Sequence, residues 1–270
     1  MDGHKLLLID VDGTLLGKGA YPSQRVTEAI ASAKEKGILV SLSTGRAPEA
    51  CYHLLKHLNL DRLHIFYDGA TVVEWPSNDI IFLQALPPRA GARLIELARE
   101  HDLFLEIYAH DFYFIEKDGP LAKQQSEKLQ LTPLVTDLMR LINRVKIVKG
   151  QILAVDAAEK KRADIVTQEM ENYCKMSWSL DPNNGIYFGN AVARNVSKAV
   201  ALVEMLDYLE LSSEEVIAIG DSYNDLSTFE MVGTCVAMGN APASLQALAD
   251  WVAPTAEDDG VAAMIEKFIL

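Results

Sequence analysis

Leu6-Leu7-Leu8-Ile9-Asp10-Val11-Asp12-Gly13-Thr14-Leu15 runs from four apolar residues straight into two acids and a glycine. A short apolar run bounded by turn-forming residues reads as a buried strand. Side chains alternate faces along a strand, so Asp10 and Asp12 share one small volume if the chain is still extended at Asp12. Two like charges held that close are costly unless a cation neutralises them or one takes a proton. Gly13 then lets the chain turn sharply. Acids and glycine are also ordinary residues where a strand enters a loop. The string Asp-x-Asp-Gly-Thr is less ordinary: at about 5–7% usage per residue type it arises by chance roughly once in 10⁵ positions. A chain of 270 residues is not expected to hold it by accident. The end of this first strand is therefore read as a site.

Outward from it, strand and helix alternate. Val26, Ala29, Ile30 and Ala33 keep the i, i+3, i+4, i+7 spacing of an amphipathic helix, with Ser23 placed to cap it and Gly37 to end it. Ile38–Ser43 reads as a second strand, a helix near Pro48 carries Leu54, Leu55 and Leu58, and His64–Tyr67 reads as a third strand. The same grammar returns late. Ser212-x-x-Glu215 has the spacing of a capping box, and Val216–Ile219 and Thr234–Ala237 read as strands. Helices follow at Pro242–Ala249 and Val261–Phe268, with a short strand at Trp251–Val252 between them. Such alternation implies an α/β fold, a doubly wound parallel sheet with right-handed crossovers.

The middle reads differently. Phe104–Tyr108 and Phe112–Ile115 look like a hairpin around Ala109-His110-Asp111. Val145–Val148 and Ile152–Val155 suggest another about Lys149-Gly150-Gln151, and Asp181-Pro182-Asn183-Asn184-Gly185 is a strong turn signal between Met176–Leu180 and Ile186–Phe188. An α+β insert over 84–189, inside a core of 1–83 and 190–270, is the organisation expected. His110, Tyr113, Trp178 and Tyr187 in the insert are either pocket-lining or packing residues.

Ligands of open parallel sheets bind beyond the carboxyl ends of the strands. Three strands here end in polar signatures: Asp10-Val11-Asp12, Ser43-Thr44-Gly45-Arg46, and Gly220-Asp221-Ser222-Tyr223-Asn224-Asp225. Thr44 offers a hydroxyl and Gly45 an accessible N–H, which suit an anion, though a plain turn uses the same residues. Arg46 suits a phosphate contact or, preferably, a structural acid. Asp10, Asp12, Asp221 and Asp225 give hard oxygen ligands without histidine or cysteine, a set that suits Mg²⁺ better than zinc. Asp225 also has the position of an acid at a helix N-terminus. Ala199, Leu202, Val203 and Leu206 form a helical stripe that Ser197 caps, placing Lys198 in the first turn, where the helix dipole disfavours a cation. A residue that breaks a local rule marks a site or is simply a solvated lysine.

Composition sets the outer bounds. The formal charge is −13 and 49% of residues are hydrophobic, with a sequence pI near 4.9. Nucleic acid is excluded as a large partner, since its phosphates call for a basic surface. Cys51, Cys174 and Cys235 are odd in number and widely spaced, so buried reduced thiols are expected. With no apolar stretch near 18 residues and no signal-peptide pattern, the expected setting is the cytoplasm, away from membranes. Nothing in the sequence fixes an oligomeric state.

With these motifs assembled, the chain resembles the haloacid dehalogenase (HAD) superfamily, and within it the Cof-type phosphatases with a type-IIB cap. The resemblance spans the whole chain, from Asp10-Val11-Asp12-Gly13-Thr14-Leu15 through Met238-Gly239-Asn240-Ala241 to Asp258-Asp259-Gly260-Val261. It implies a Rossmann-like HAD core and a substrate-selecting cap. It implies Asp10 as nucleophile, forming an aspartyl-phosphate, and Asp12 as general acid and then base. Thr44, Gly45, Lys198 and Asn224 would hold the phosphoryl group. Asp221 would join Asp10 and the Asp12 carbonyl around Mg²⁺, with Asp225 ordering or completing that shell. The implied substrate is a small phosphorylated metabolite, a sugar phosphate foremost. A phosphosugar mutase shares this machinery, and a non-catalytic binder of metal or phosphate is the rival outside enzymes. Two departures stand out. Relatives carry Asn-Gly where this chain has Asp68-Gly69, and a carboxylate pointing inward there would repel phosphate. The segment 190–195 before the lysine is also unusual.

Overall fold

Leu6–Ile9 (β1) is an interior strand of a parallel sheet in the computed structural model, which describes residues 3–109, 112–129, 131–181 and 184–270. In chain order the first elements are α1 (Gln24–Glu35), β2 (Leu39–Leu42), α2 (Tyr52–His57), β3 (Arg62–Phe66), β4 (Thr71–Trp75) and β5 (Asp79–Leu83). The middle holds α3 (Pro88–Glu100), β6 (Phe104–Tyr108), β7 (Tyr113–Ile115), α4 (Pro120–Leu129), β8 (Leu134–Val135), β9 (Lys149–Ala154), α5 (Ala157–Met170), β10 (Lys175–Leu180) and β11 (Tyr187–Val192). The last stretch holds α6 (Lys198–Leu209), β12 (Val216–Gly220), α7 (Leu226–Phe229), β13 (Thr234–Ala237), α8 (Ala243–Gln246), β14 (Trp251–Val252) and α9 (Gly260–Phe268). The chain divides into two units, Met1–Phe82 with Ser197–Leu270, and Leu83–Val196.

In the first unit the strand order is β14-β13-β12-β1-β2, all parallel. Leu6 lies opposite both Val216 and Leu39, so β1 is flanked by the strand ending at Gly220 and the strand ending at Leu42. A parallel bridge between Ser43 and Ile65 carries the pattern on to β3, which turns back antiparallel into β4. Leu6 and Leu8 pack with Ala201, Leu202, Met205 and Leu206 of α6, while α1 packs with α9 apart from that cluster. Ser23 caps α1 by accepting the Val26 N–H, and Gly37 ends the turn at φ +84°. The capping box of Ser212 and Glu215 is formed. The sequence expectation of a doubly wound parallel core is met, with somewhat shorter elements: α7 and α8 are single turns.

The second unit holds a six-stranded sheet of order β10-β11-β9-β6-β7-β8. One face is apolar and packs on α3 and α5 through Leu94, Ile107, Ile152, Ala163 and Val166. The other carries buried Glu106, Tyr108, Lys149 and Gln151, which alternation puts on one side. Two hairpin expectations hold: Tyr108 pairs with Tyr113, and Leu180 with Tyr187. His110, Asp111, Pro182 and Asn183 lie outside the described residues. The third fails. Lys149-Gly150-Gln151 is not a turn but part of β9, between β11 and β6. Gly150 serves packing instead: a Cβ there would lie 2.4 Å from Leu94 Cδ2 on α3. β11 runs past Gly189-Asn190 to Val192, and the unit continues to Val196. Of the insert aromatics, Tyr113 is buried and stacked on Tyr108, and Trp178 packs on the apolar cluster while donating to Thr167 Oγ1. No helix among the described residues is long and apolar enough to cross a membrane.

Candidate active site

The carboxyl ends of β1, β2 and β12, the loop after β3 and the start of α6 converge within the first unit. Asp10 still follows strand geometry, its N–H bonded to Ile219 O at 3.0 Å, and its side chain is 6% exposed. Lys198 opens α6, capped by Ser197. Its buried ammonium donates to Asp10 Oδ1 at 2.5 Å and to Asp225 Oδ1 at 2.6 Å. Asp225 Oδ2 accepts the backbone N–H groups of Asp221 and Ser222, both at 3.1 Å. Asp225 therefore ties the loop after β12 to the lysine. Carboxylate oxygens of Asp10, Asp221 and Asp225 lie within 4.8 Å of one another. Gly13 turns at φ +84°, where a side chain would be strained and a Cβ would strike Asp221 Oδ2.

Burial works against Lys198's charge, but Asp10, Asp225 and Asp68 outweigh it and raise the ammonium's pKa. Burial raises the Asp10 pKa well above the usual carboxylate range, with Asp225 and Asp221 adding to that and Lys198 opposing it. Burial, then the neighbouring Asp225 charge, moves Asp221 up to about 6. The cluster is thus short of positive charge. Its donors are all carboxylate oxygens, a set that suits a hard metal cation. Both Asp225 oxygens are engaged by Lys198 and amide groups, whereas among the described residues the Asp221 carboxylate accepts from Thr14 at 3.4 Å and Asn240 at 3.2 Å.

Other residues named from sequence fall differently. Asp12 does not face the same volume as Asp10. β1 ends at Ile9, and Leu15 N and Leu16 N bond back to Asp10 O and Val11 O, so strand alternation stops before Asp12. Its side chain is 63% exposed and takes a two-bond grip from Arg46, Nε to Oδ2 at 2.9 Å and Nη2 to Oδ1 at 2.5 Å. Arg46 thus pairs with an acid, Asp12, as preferred from the sequence. Thr44 is buried, and its Oγ1 accepts the Arg46 N–H at 3.2 Å. Gly45 lies beside Asp68: a Cβ on it would sit 2.9 Å from both Asp68 carboxylate oxygens. Asn224 Nδ2 donates to Asp68 Oδ1 at 2.9 Å. The Asp68 carboxylate is therefore turned inward. On α6 the buried face is Lys198, Ala201, Leu202, Met205 and Leu206, not the expected stripe, since Val203 is exposed. Sequence reasoning passed over Asn240, which donates to Gly13 O at 2.8 Å and Asp221 Oδ2 at 3.2 Å. The rule of strand ends would have found it, because it follows β13.

A parallel core whose strand ends gather Asp10, Lys198, Asp221 and Asp225 defines a class, the haloacid dehalogenase-like hydrolases, and the profile of that family matches residues 7–265. The chain belongs to this family. It is similar to the pyridoxal phosphate phosphatase YbhA of Escherichia coli, 28% identical over 98% of this chain and 99% of that one. A haloacid dehalogenase-like hydrolase from Bacteroides thetaiotaomicron superposes with a TM-score of 0.86 at 28% identity, covering 98% of this chain and 99% of that one. The fold is shared with BT4131, described as a HAD subclass IIB sugar phosphatase, at a TM-score of 0.81, 20% identity and 98% coverage of both chains. The resemblance read from the motifs is borne out, and the chain is a phosphatase of this family.

Proposed function

We propose that the protein is a magnesium-dependent phosphohydrolase of small phosphorylated metabolites, sugar phosphates among them, that works through an aspartyl-phosphate on Asp10. The observation that carries this reading is the buried Lys198 bound to Asp10 at 2.5 Å, with Asp221 beside them. Asp10 and Asp221, with the Asp12 main-chain oxygen, would hold the metal, and Asp225 would keep Lys198 and the loop in place. Magnesium, when bound, supplies positive charge at the phosphoryl oxygens. Thr44, Gly45, Lys198 and Asn224 orient the phosphoryl group, whose transfer depends mainly on position and charge.

Asp10 attacks phosphorus as the bond to the leaving oxygen breaks, and Asp12 gives that oxygen a proton. In the second half Asp12 takes a proton from water, the water oxygen bonds phosphorus, and Asp10 leaves as carboxylate. To act as acid, Asp12 turns from Arg46 toward the leaving oxygen. A pyridoxal phosphate ester, the substrate named for the relative YbhA, is one member of the substrate class to try first. A cytoplasmic setting fits the three buried free thiols.

The test is phosphate release from a panel of phosphomonoesters with Mg²⁺. Asp10→Asn should lower turnover by about 10³-fold or more, as loss of a nucleophile does, with an unchanged circular dichroism spectrum. Mg²⁺ should raise the wild-type melting temperature and fail to raise that of Asp221→Asn. A fully active Asp10→Asn protein rules out the covalent route.

A further inference from the structure

Asp68 puts a fourth carboxylate beside a single buried lysine. Asp10, Asp221 and Asp225 form the three-acid cluster, and Asp68 lies against Gly45 and Asn224. Its backbone geometry and its hydrogen bonds do not need its charge. Its backbone is at φ +55°, a region in which asparagine is at least as much at home. Its N–H bonds Thr44 O at 3.0 Å, which any residue but proline supplies. The bond from Asn224 Nδ2 at 2.9 Å would be accepted equally by an amide oxygen. The loop is fixed by its neighbours: Gly69, at φ +97°, abuts the start of α6, where a Cβ would lie 2.1 Å from Ser197 O. Ser222 Oγ donates to Asn224 Oδ1 at 2.6 Å, so the side chain that holds Asp68 is itself held.

We infer that Asp68 is a repulsive, specificity-setting element of the phosphoryl pocket. It weakens the hold on free phosphate, which carries its full charge, and so speeds emptying of the pocket. This rests on the phosphatase reading above. Four carboxylates face one lysine, so a divalent ion leaves the pocket with net negative charge, and that surplus is the Asp68 carboxylate. A like charge built against a ligand is a recognised route to discrimination. Asn224 then also positions the repulsive group, through the bond its Nδ2 donates.

The experiment is calorimetric titration of inorganic phosphate into the full-length protein with saturating Mg²⁺, for wild type, Asp68→Asn and Asp68→Ala. Asp68→Asn keeps shape and the Asn224 bond and removes only charge. Phosphate should bind it about tenfold more tightly, a modest fraction of what one charge exerts at short range in a partly buried site. Asp68→Ala should tighten binding too, which separates charge from hydrogen bonding. In steady state with p-nitrophenyl phosphate, Asp68→Asn should show a lower KM and stronger product inhibition. Equal or weaker phosphate binding by both variants, while wild type binds, would overturn this assignment alone. Absence of phosphate binding by all three folded proteins would overturn it together with the phosphatase reading.

Discussion

Removing Lys198 strips two buried acids of their counter-charge. The lysine is 1% exposed and holds two carboxylates that are themselves buried. Lys198→Met fills similar volume but leaves Asp10 and Asp225 as unpaired buried charges. Stability should fall by about 3–5 kcal/mol, the usual result of removing one partner from a buried ion pair. Urea unfolding near pH 7.5 measures it, and a loss below about 1 kcal/mol would mean that another group neutralises the pair. Lys198 was legible in the sequence as an oddly placed cation. Its burial was legible too, since positions 198, 201, 202, 205 and 206 keep helical spacing, but the stripe was drawn one residue away. Asp12 was not legible. Whether a carboxylate after a strand points inward depends on where the ladder stops, and Ile9 is its last residue. The inward turn of Asp68 was equally hidden, because three consecutive positive-φ residues, Tyr67, Asp68 and Gly69, set its direction.

At the scale of elements, the parallel strands and main helices of the core were read nearly where they lie, because buried parallel strands are continuous apolar runs and α1 and α6 each open on a capping serine, whereas the antiparallel strands β4 and β5 were not read. The insert was harder. Lys149-Gly150-Gln151 has turn composition, yet a helix packed on Gly150 and a polar face shared with β6 make it strand. That polar face contains Glu106, fully buried, with Oε2 accepting from the Tyr108 hydroxyl at 2.7 Å and Oε1 without a partner among the described residues. Burial pushes Glu106 up to about 7 from its ordinary 4.5. Between those values the folded protein binds the extra proton, so stability falls as pH rises through this window, by about 3 kcal/mol in all. Glu106→Gln removes the dependence. Its stability relative to wild type should rise between pH 5 and pH 8 in urea unfolding, and a constant difference would show that Glu106 is neutralised in another way.

For the molecule as a whole, the charge of −13 sets the terms on which an anionic substrate arrives. Long-range repulsion is screened over about 30 Å at 0.01 M salt and about 8 Å at 0.15 M, while the buried contacts of the site are screened far less. With Mg²⁺ saturating, kcat/KM for a phosphate ester should therefore rise about two- to fivefold over that range of NaCl, since association of like-signed partners quickens as their field is screened. A fall would mean that local cations dominate the approach. The two units also differ in how they are threaded. The chain departs the first unit at Phe82 and re-enters it at Ser197, the capping residue of α6, whose Oγ accepts the Val200 N–H at 3.2 Å. One position further on is Lys198. Anyone grafting a foreign insert onto this scaffold inherits a narrow tolerance: the splice must deliver the polypeptide to Ser197 at φ −156° and ψ 158°, or the ammonium misses its acids. Junctions cut at 82/83 and 196/197 respect that requirement, and a chimera joined one residue late at the second junction would be expected to fold its sheet and lose its chemistry.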